Sequence, residues 1–231
     1  MPWLLGRVPG GYWDDIAHRR QFLRWLGQRC GFRTPADWYS IRQRHFKMNR
    51  GGGLLAHAYG FSVFRAVQEL FPDAEWLPWK FGGVPQRFWQ NEQNRRWYLR
   101  WLGLELGYRQ PGDWYSVRKR DFYRHHGGGL LANYFADSPQ QALHELYPDF
   151  DFKPWLFHSV PQNFWREPMH RLEFIDWLAA QLNVTSPEDW ERVRSEDFHA
   201  HGGGGLLTFY YGGSIRRALQ DVHRTSHCMP S

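Results

Sequence analysis

Apolar and charged positions follow a helical period along much of the chain. Between Asn91 and Leu106, Trp97, Trp101, Leu102 and Leu104 through Leu106 fall near i, i+4 and i+5, with Arg95, Arg96 and Arg100 among them. Such spacing lays one apolar stripe along a helix. Gly107 supplies the stop, as Gly31 does earlier in the chain. A cap signal follows: Thr34-Pro35-Ala36-Asp37 and Ser186-Pro187-Glu188-Asp189 place Ser or Thr at the N-cap, Pro at the first helical position and an acid at the third. Gln110 holds that cap position in the equivalent middle segment, which weakens the cap. Trp114 to Val117 fits either a helical turn or a short extended piece. A second helix is expected from about Lys119 through Tyr134, interrupted at Gly127 to Gly129. Three interior glycines each cost a helix about 1 kcal/mol relative to Ala, so a break or a close helix–helix contact is expected there. Asp137-Ser138-Pro139 then caps a third helix, Pro139 to Leu146, closed by Pro148.

The pattern recurs at an interval of 76 residues with no insertion or deletion. Trp25, Trp101 and Trp177 share one position, and Asp37-Trp38, Asp113-Trp114 and Asp189-Trp190 another. Gly51 through Leu55 matches Gly127 through Leu131 and Gly203 through Leu207. Between these cores runs a linker, Pro2-Trp3, Pro78-Trp79 and Pro154-Trp155, each followed by Val-Pro and an aromatic pair. The expected fold is therefore mainly α. It is an array of three tandem 76-residue helical, helix-turn-helix-like units at 2–77, 78–153 and 154–229, each of about three helices with a Trp-rich linker to the next. A fourth linker would begin at Pro230, which leaves open whether the array is bounded or part of a longer one.

Aromatic residues make up 18% of the chain, with 14 Trp, which is too much apolar surface for a disordered polymer. The net charge of +6 and a pI near 9.5 suggest an anionic partner. The charge is uneven: 11 Lys/Arg stand against 6 Asp/Glu in 2–77, 11 against 8 in 78–153, and 7 against 9 in 154–229. Any electrostatic footprint thus belongs to the first two copies. Cys30 and Cys228 occupy unrelated positions, form no disulfide framework, and fit an intracellular, reducing compartment. No apolar run approaches the length needed to span a bilayer, and the N-terminus lacks a charged-then-apolar signal peptide.

The order of features in each copy resembles the homing-endonuclease-associated repeat. Pro111 and Asp113, then Tyr134, then Ser138, Ala142 and Leu143 carry the likeness, as do Pro187, Asp189, Tyr211, Gly213-Ser214 and Ala218-Leu219. The first copy departs at Phe61-Ser62 and Val67, and the Gly-Gly-Gly-Leu-Leu core and Pro-Trp linkers lie outside that family's pattern. The chain also looks like tandem-repeat proteins of algae, fungi and bacteria that carry no assigned activity. The resemblance implies a small helical unit of helix-turn-helix character associated with DNA.

Basic clusters carry the leading functional signal, because Arg and Lys neutralise phosphates without reading sequence. Arg19, Arg20 and Arg24 stand on the first helix, followed by Arg42, Arg44, Lys47 and Arg50. The second copy has Arg95, Arg96 and Arg100, then Arg118, Lys119, Arg120 and Arg124. A solvated helix face is the bland alternative. The glycine motif lacks the Lys-Ser/Thr ending of a P-loop and reads as close backbone packing. Trp25, Trp101 and Trp177 read as core, while Trp79 and Trp155 either wedge between copies or stack on a ligand. His125-His126 and His199-x-His201 lack the partners of a metal site, so no metal or cofactor is expected. Asp37, Asp113 and Asp189 read as helix-start stabilisers rather than catalytic acids. The expected function is non-catalytic binding of nucleic acid, DNA rather than RNA. The alternative is a protein-interaction scaffold using the Trp-rich linkers and the acidic third copy.

Overall fold

The long helices Ile16–Arg29 and Glu92–Glu105 begin where Asp15 and Asn91 side chains accept from their first N–H groups, and left-handed Gly31 and Gly107 follow their ends. The computed structural model describes the backbone of residues 1–227 and the side chains of residues 1–221; Cys228 and Pro230 lie outside the described residues. The α-helices are α1 (Pro2–Leu5), α2 (Ile16–Arg29), α3 (Gln43–Met48), α4 (Gly52–Tyr59), α5 (Val63–Leu70), α6 (Glu92–Glu105), α7 (Lys119–Arg124), α8 (Gly128–Tyr134), α9 (Pro139–Leu146), α10 (Pro168–Gln181), α11 (Ser195–Ala200) and α12 (Ile215–His227). Short 3-10 turns stand between them, and Leu206–Tyr210 forms a π-turn. No strand occurs among the described residues, so the chain is mainly helical.

The helix expected over 91–106 is α6. The one expected over Pro139–Leu146 is α9, where the Ser138 hydroxyl accepts from the Gln141 N–H at 3.3 Å. Helix ends also follow expectation: Gly31 and Gly107 adopt φ 76° and 77°, and Asn183 takes the same conformation at φ 53°. Behind each, a six-residue loop closes, with Phe32 N–H donating to Gly27 O, Tyr108 to Gly103 O and Val184 to Ala179 O at 2.8–2.9 Å. The segment Pro111–Ser116 is a 3-10 turn and Val117 is extended, so both alternatives for Trp114 to Val117 occur in succession.

The break expected in the second helix of residues 78–153 divides it into α7 and α8, so that stretch carries four α-helices where about three were expected. The break falls at His126, held at φ 65°, as Arg50 is at φ 62° and Gly202 at φ 82°. Its physical cause is the glycine next in the chain. A Cβ at Gly51 would overlap the Phe22 ring, at Gly127 the Tyr98 ring, and at Gly203 the Phe174 ring. The backbone must turn sharply to reach those rings, and only glycine lets it come so close.

The chain packs as two compact units, one comprising Met1–Tyr98 and Tyr123–Leu130, the other Leu99–Phe122 and Leu131 onward. In the first, Trp3, Phe22, Leu26, Phe46, Leu54 and Leu55 anchor the core. In the second, Trp155, Phe174, Leu178, Phe198, Leu206 and Leu207 do so. These sets occupy matching positions 152 residues apart, twice the repeat interval. The linker residues Trp3, Trp79 and Trp155 are 1–2% exposed, so they are core rather than surface. Trp3 meets Phe22 edge-on at 5.4 Å, and Trp155 meets Phe174 likewise at 5.4 Å.

The Asp residues behind the cap signals act as expected. Asp37 Oδ2 accepts from Thr34 N–H and Arg33 N–H, both at 2.7 Å. Asp113 accepts from Arg109 and Gln110, and Asp189 from Thr185 and Ser186, at 2.7–3.0 Å. These backbone donors, led by Thr34, Arg109 and Thr185, hold the three carboxyls below the usual carboxylate range.

These contacts generate two predictions. Gly51→Ala should lower stability by about 1–3 kcal/mol through overpacking against Phe22. Gly53→Ala, in α4 with open space around the site, should be neutral or gain up to about 1 kcal/mol. Urea unfolding of the two variants checks this, and equal losses would remove the ring-contact explanation. For the Asp set, a lowered folded pKa gives stability that is full above the unfolded pKa near 4 and is lost as pH falls through the folded value. The triple variant Asp37→Asn/Asp113→Asn/Asp189→Asn should therefore melt below wild type at pH 7, with the gap narrowing below about pH 4. A gap that stays constant from pH 7 to pH 3 would count against it.

Candidate nucleic-acid interface

The arginines nominated from sequence divide by what their guanidinium groups touch. On α2, Arg19 Nη1 donates to the carbonyls of Trp13 and Asp14 at 3.0 and 2.8 Å, while Nε and Nη2 grip the Glu69 carboxylate at 2.9–3.1 Å. Tyr59 donates its hydroxyl to the same carboxylate at 2.7 Å. Arg171 on α10 repeats this, with the Trp165 and Arg166 carbonyls at 2.9 and 2.8 Å, Asp221 at 2.7 Å, and Tyr211 donating to Asp221 at 2.6 Å. Arg95 donates to the carbonyls of Trp89 and Gln90 at 2.8 and 3.1 Å. Burial and then the carboxylate bond push the Tyr59 and Tyr211 hydroxyls up in pKa, keeping them protonated donors. The Glu69 contact likewise raises Arg19. At these positions the cation closes the 3-10 turn ahead of the helix. Arg20 is half-buried against the Glu69 carbonyl at 3.3 Å, and Arg96 bonds Glu92 one turn back at 2.7 Å. Arg24 and Arg100 are exposed. Arg24 borders a concavity of about 340 Å³ with Arg33, Phe32 and Trp38.

The second cluster lies at α3 and α7. Arg42 is half-buried: its Nη1 donates to the Tyr39 and Ile41 carbonyls at 2.6 and 2.7 Å, and its side chain lies where a Cβ at Gly82 would stand. Its backbone N–H donates to His45 Nδ1 at 2.9 Å, an arrangement that needs a neutral imidazole. Burial, then Arg44 and Arg42, lower the His45 pKa in keeping with that role. Arg44, Lys47 and Arg50 are exposed, as are Arg118, Lys119, Arg120 and Arg124.

Arg118, Lys119 and Arg120 form one wall of an open groove of about 610 Å³, wholly within the second compact unit. Gln140 and Gln141 at the start of α9 form another, and His158 and Ser159 of the following linker a third. The apolar part comes from Val117, Phe157, Val160 and Pro161. Lys119 Nζ stands 2.7 Å from Asp137 Oδ2, and Gln140 donates to the Ser159 carbonyl at 3.3 Å. Charge pattern does not nominate Gln140, His158 and Ser159, because they lie one helix and one linker away in sequence. A trace exists in the repeat comparison: His158-Ser159 replaces Gly82-Gly83.

Comparison with protein-family models, curated proteins and solved structures finds no match. In residues 154–229, Arg192 and Arg194 bond nearby carbonyls while staying exposed: Arg192 donates to that of Asn183 at 2.6 Å, and Arg194 to that of Glu191 at 3.1 Å. His126 sits on the left-handed turn with its pKa lowered by burial, then by Lys80, and His201 bonds the Asp197 carbonyl at 2.7 Å. Among the described residues, no three His, Cys, Asp or Glu side chains gather in a metal-binding cluster, and no helix is long and apolar enough to cross a membrane.

Arg171→Met leaves a carboxylate without its guanidinium and two carbonyls without their donor. It should cost about 3 kcal/mol. Arg24→Met, at an exposed site, should stay within about 0.5 kcal/mol. Thermal and chemical melts of the two proteins test the contrast; similar losses would refute the division between inward and outward arginines.

Proposed function

We propose that the chain is an array of three helix-turn-helix-like units, 2–77, 78–153 and 154–229, that binds nucleic acid without catalysis. DNA is the preferred ligand, and the contacts are phosphates met by basic residues of the first two units. Recurrence of element bounds supports the array: α2, α6 and α10 are each 14 residues long and start 76 apart. So does the recurrence of left-handed backbone at 11, 87 and 163, at 31, 107 and 183, and at 50, 126 and 202. The likeness to the homing-endonuclease-associated repeat points the same way, and an intracellular setting fits the cysteine usage.

The observation that carries the binding reading is the wall of Arg118, Lys119 and Arg120, all exposed, on an open groove. Outward cations of this kind are the groups that displace counterions from a phosphate backbone. The contacting set is accordingly Arg24, Arg44, Lys47, Arg50, Arg100, Arg118, Lys119, Arg120 and Arg124, all of them exposed. Arg19, Arg20, Arg42, Arg95 and Arg96 support it from the scaffold. One feature favours a protein partner instead: Phe209, 90% exposed beside Tyr210 on the π-turn. The buried Trp79 and Trp155 leave the linkers little part in such a surface.

A mobility-shift titration at two salt concentrations tests this. Affinity for duplex DNA should fall steeply with salt. Replacing Arg118, Lys119 and Arg120 by Ala should reduce the slope of log K against log salt by about 2 to 3. Absence of any complex at low salt with duplex DNA, single-stranded DNA and RNA would end the reading. A protein partner retained in a pull-down by the same triple variant would favour the scaffold.

A further inference from the structure

The groove beside α7 differs from a plain phosphate-binding surface in three ways. It is concave, and at about 610 Å³ it has the size of a pocket that encloses a small organic ligand rather than a flat strip of cations. Its lining sets the cations beside the apolar side chains of Val117, Phe157, Val160 and Pro161. It also holds a carboxylate, Asp137, ion-paired with Lys119. A bare polyanion would gain from Arg118 and Arg120 but leave the Asp137 carboxylate and the apolar lining unused. The ligand that satisfies all three is anionic at one end, flat and apolar in its body, and carries N–H donors on its edge. A nucleotide has this composition, and its base reaches a concave site only when unpaired and unstacked.

We propose that this groove takes one unpaired nucleotide of a single strand. Its phosphate lies at Arg118 and Arg120, its base lies over Val160 and Pro161, and its edge meets Asp137, Gln140 and Gln141. The inference rests on the nucleic-acid reading and narrows it from a phosphate backbone to a single-stranded segment. The equivalent place in residues 2–77 is occupied from within. Arg42 folds inward over Gly82 and bonds the Tyr39 and Ile41 carbonyls. Beside the groove, Arg118 is exposed and His158, 76 residues after Gly82, replaces that glycine. The opening offered beside Arg118 is therefore closed by Arg42 in the first copy.

Fluorescence anisotropy of the full chain with labelled DNA and RNA strands of about 12 nucleotides, and with the matching DNA duplex, tests this. Wild type should favour single strands over duplex by about tenfold or more, equivalent to about 1.4 kcal/mol. Ser159→Trp, which fills the groove and keeps every cation, should bring single strands down to the duplex value while duplex binding stays within about twofold. Gln141→Trp, on the exposed face of α9, should do the same, and circular dichroism of both variants verifies folding. Asp137→Asn should reorder affinities among homopolymers of A, C, G and T. Equal affinity for single strand and duplex in wild type, or an unaltered preference in both filled variants, overturns the inference while leaving duplex binding intact. Failure of every nucleic acid to bind overturns the proposed function and this inference together.

Discussion

The contact on which the described structure most depends is an aromatic ring laid against bare backbone. Phe22 meets Gly51, Tyr98 meets Gly127 and Phe174 meets Gly203, each within the distance a Cβ would need. That approach forces the preceding residue into left-handed geometry, which ends the short helix before it and lets the next begin at a new angle. Arg50 and His126 accept this conformation at some cost, and Gly202 does so with none. The two leucines after the glycines then point into the core beside the same ring. The motif Gly-Gly-Gly-Leu-Leu is thus a packing device in which the first glycine is obligatory, while the third, at Gly53 and Gly129, stands in open space.

A second constraint concerns charge. A guanidinium at the start of α2, α6 or α10 meets two carbonyl groups that a 3-10 turn leaves without helical donors. Carbonyls left unpaired there would cost about 1–3 kcal/mol each, so the arginine stabilises more as a cap than as a surface cation. In the flanking positions, His18 and His170 lie within 3.0 Å of the Tyr12 and Phe164 carbonyls, and Asn94 donates to that of Phe88 at 2.9 Å. Net positive charge therefore overstates the charge offered to a partner. Part of it holds turns, and only the outward remainder is offered to a partner.

Much of this was legible in residue order. Helix stops at Gly31 and Gly107, the start of α9 at Ser138-Pro139 and the anchoring Asp residues all depend on contacts between residues at most five apart, and short-range patterns report those directly. The break between α7 and α8 was legible as a glycine problem, but not its location, because the ring that demands it lies about 29 residues earlier in sequence, as Tyr98 does from Gly127. The inward turn of Arg19 and Arg171 was hidden for the same reason. Their carboxylate partners lie 50 residues away and differ in kind, Glu69 in one case and Asp221 in the other. An arginine flanked by helix-forming residues looks identical whether it faces solvent or a carbonyl.

The groove shows similar local backbone contacts carrying different surfaces. Backbone geometry at 42 and 118 is closely similar, since Arg42 and Arg118 both present their N–H to a side chain three residues on, His45 in one and Asp121 in the other. The side chains part company because the downstream linker differs. A glycine at 82 leaves room for Arg42 to fold down onto the carbonyls of its own turn. A histidine at 158 stands in the corresponding place, and Arg118 is exposed. One substitution more than a helix away in sequence thus accompanies a cation's change from internal cap to open wall. The residues that differ there, Gly82 and His158, lie apart from the aromatic–glycine contacts that hold the fold.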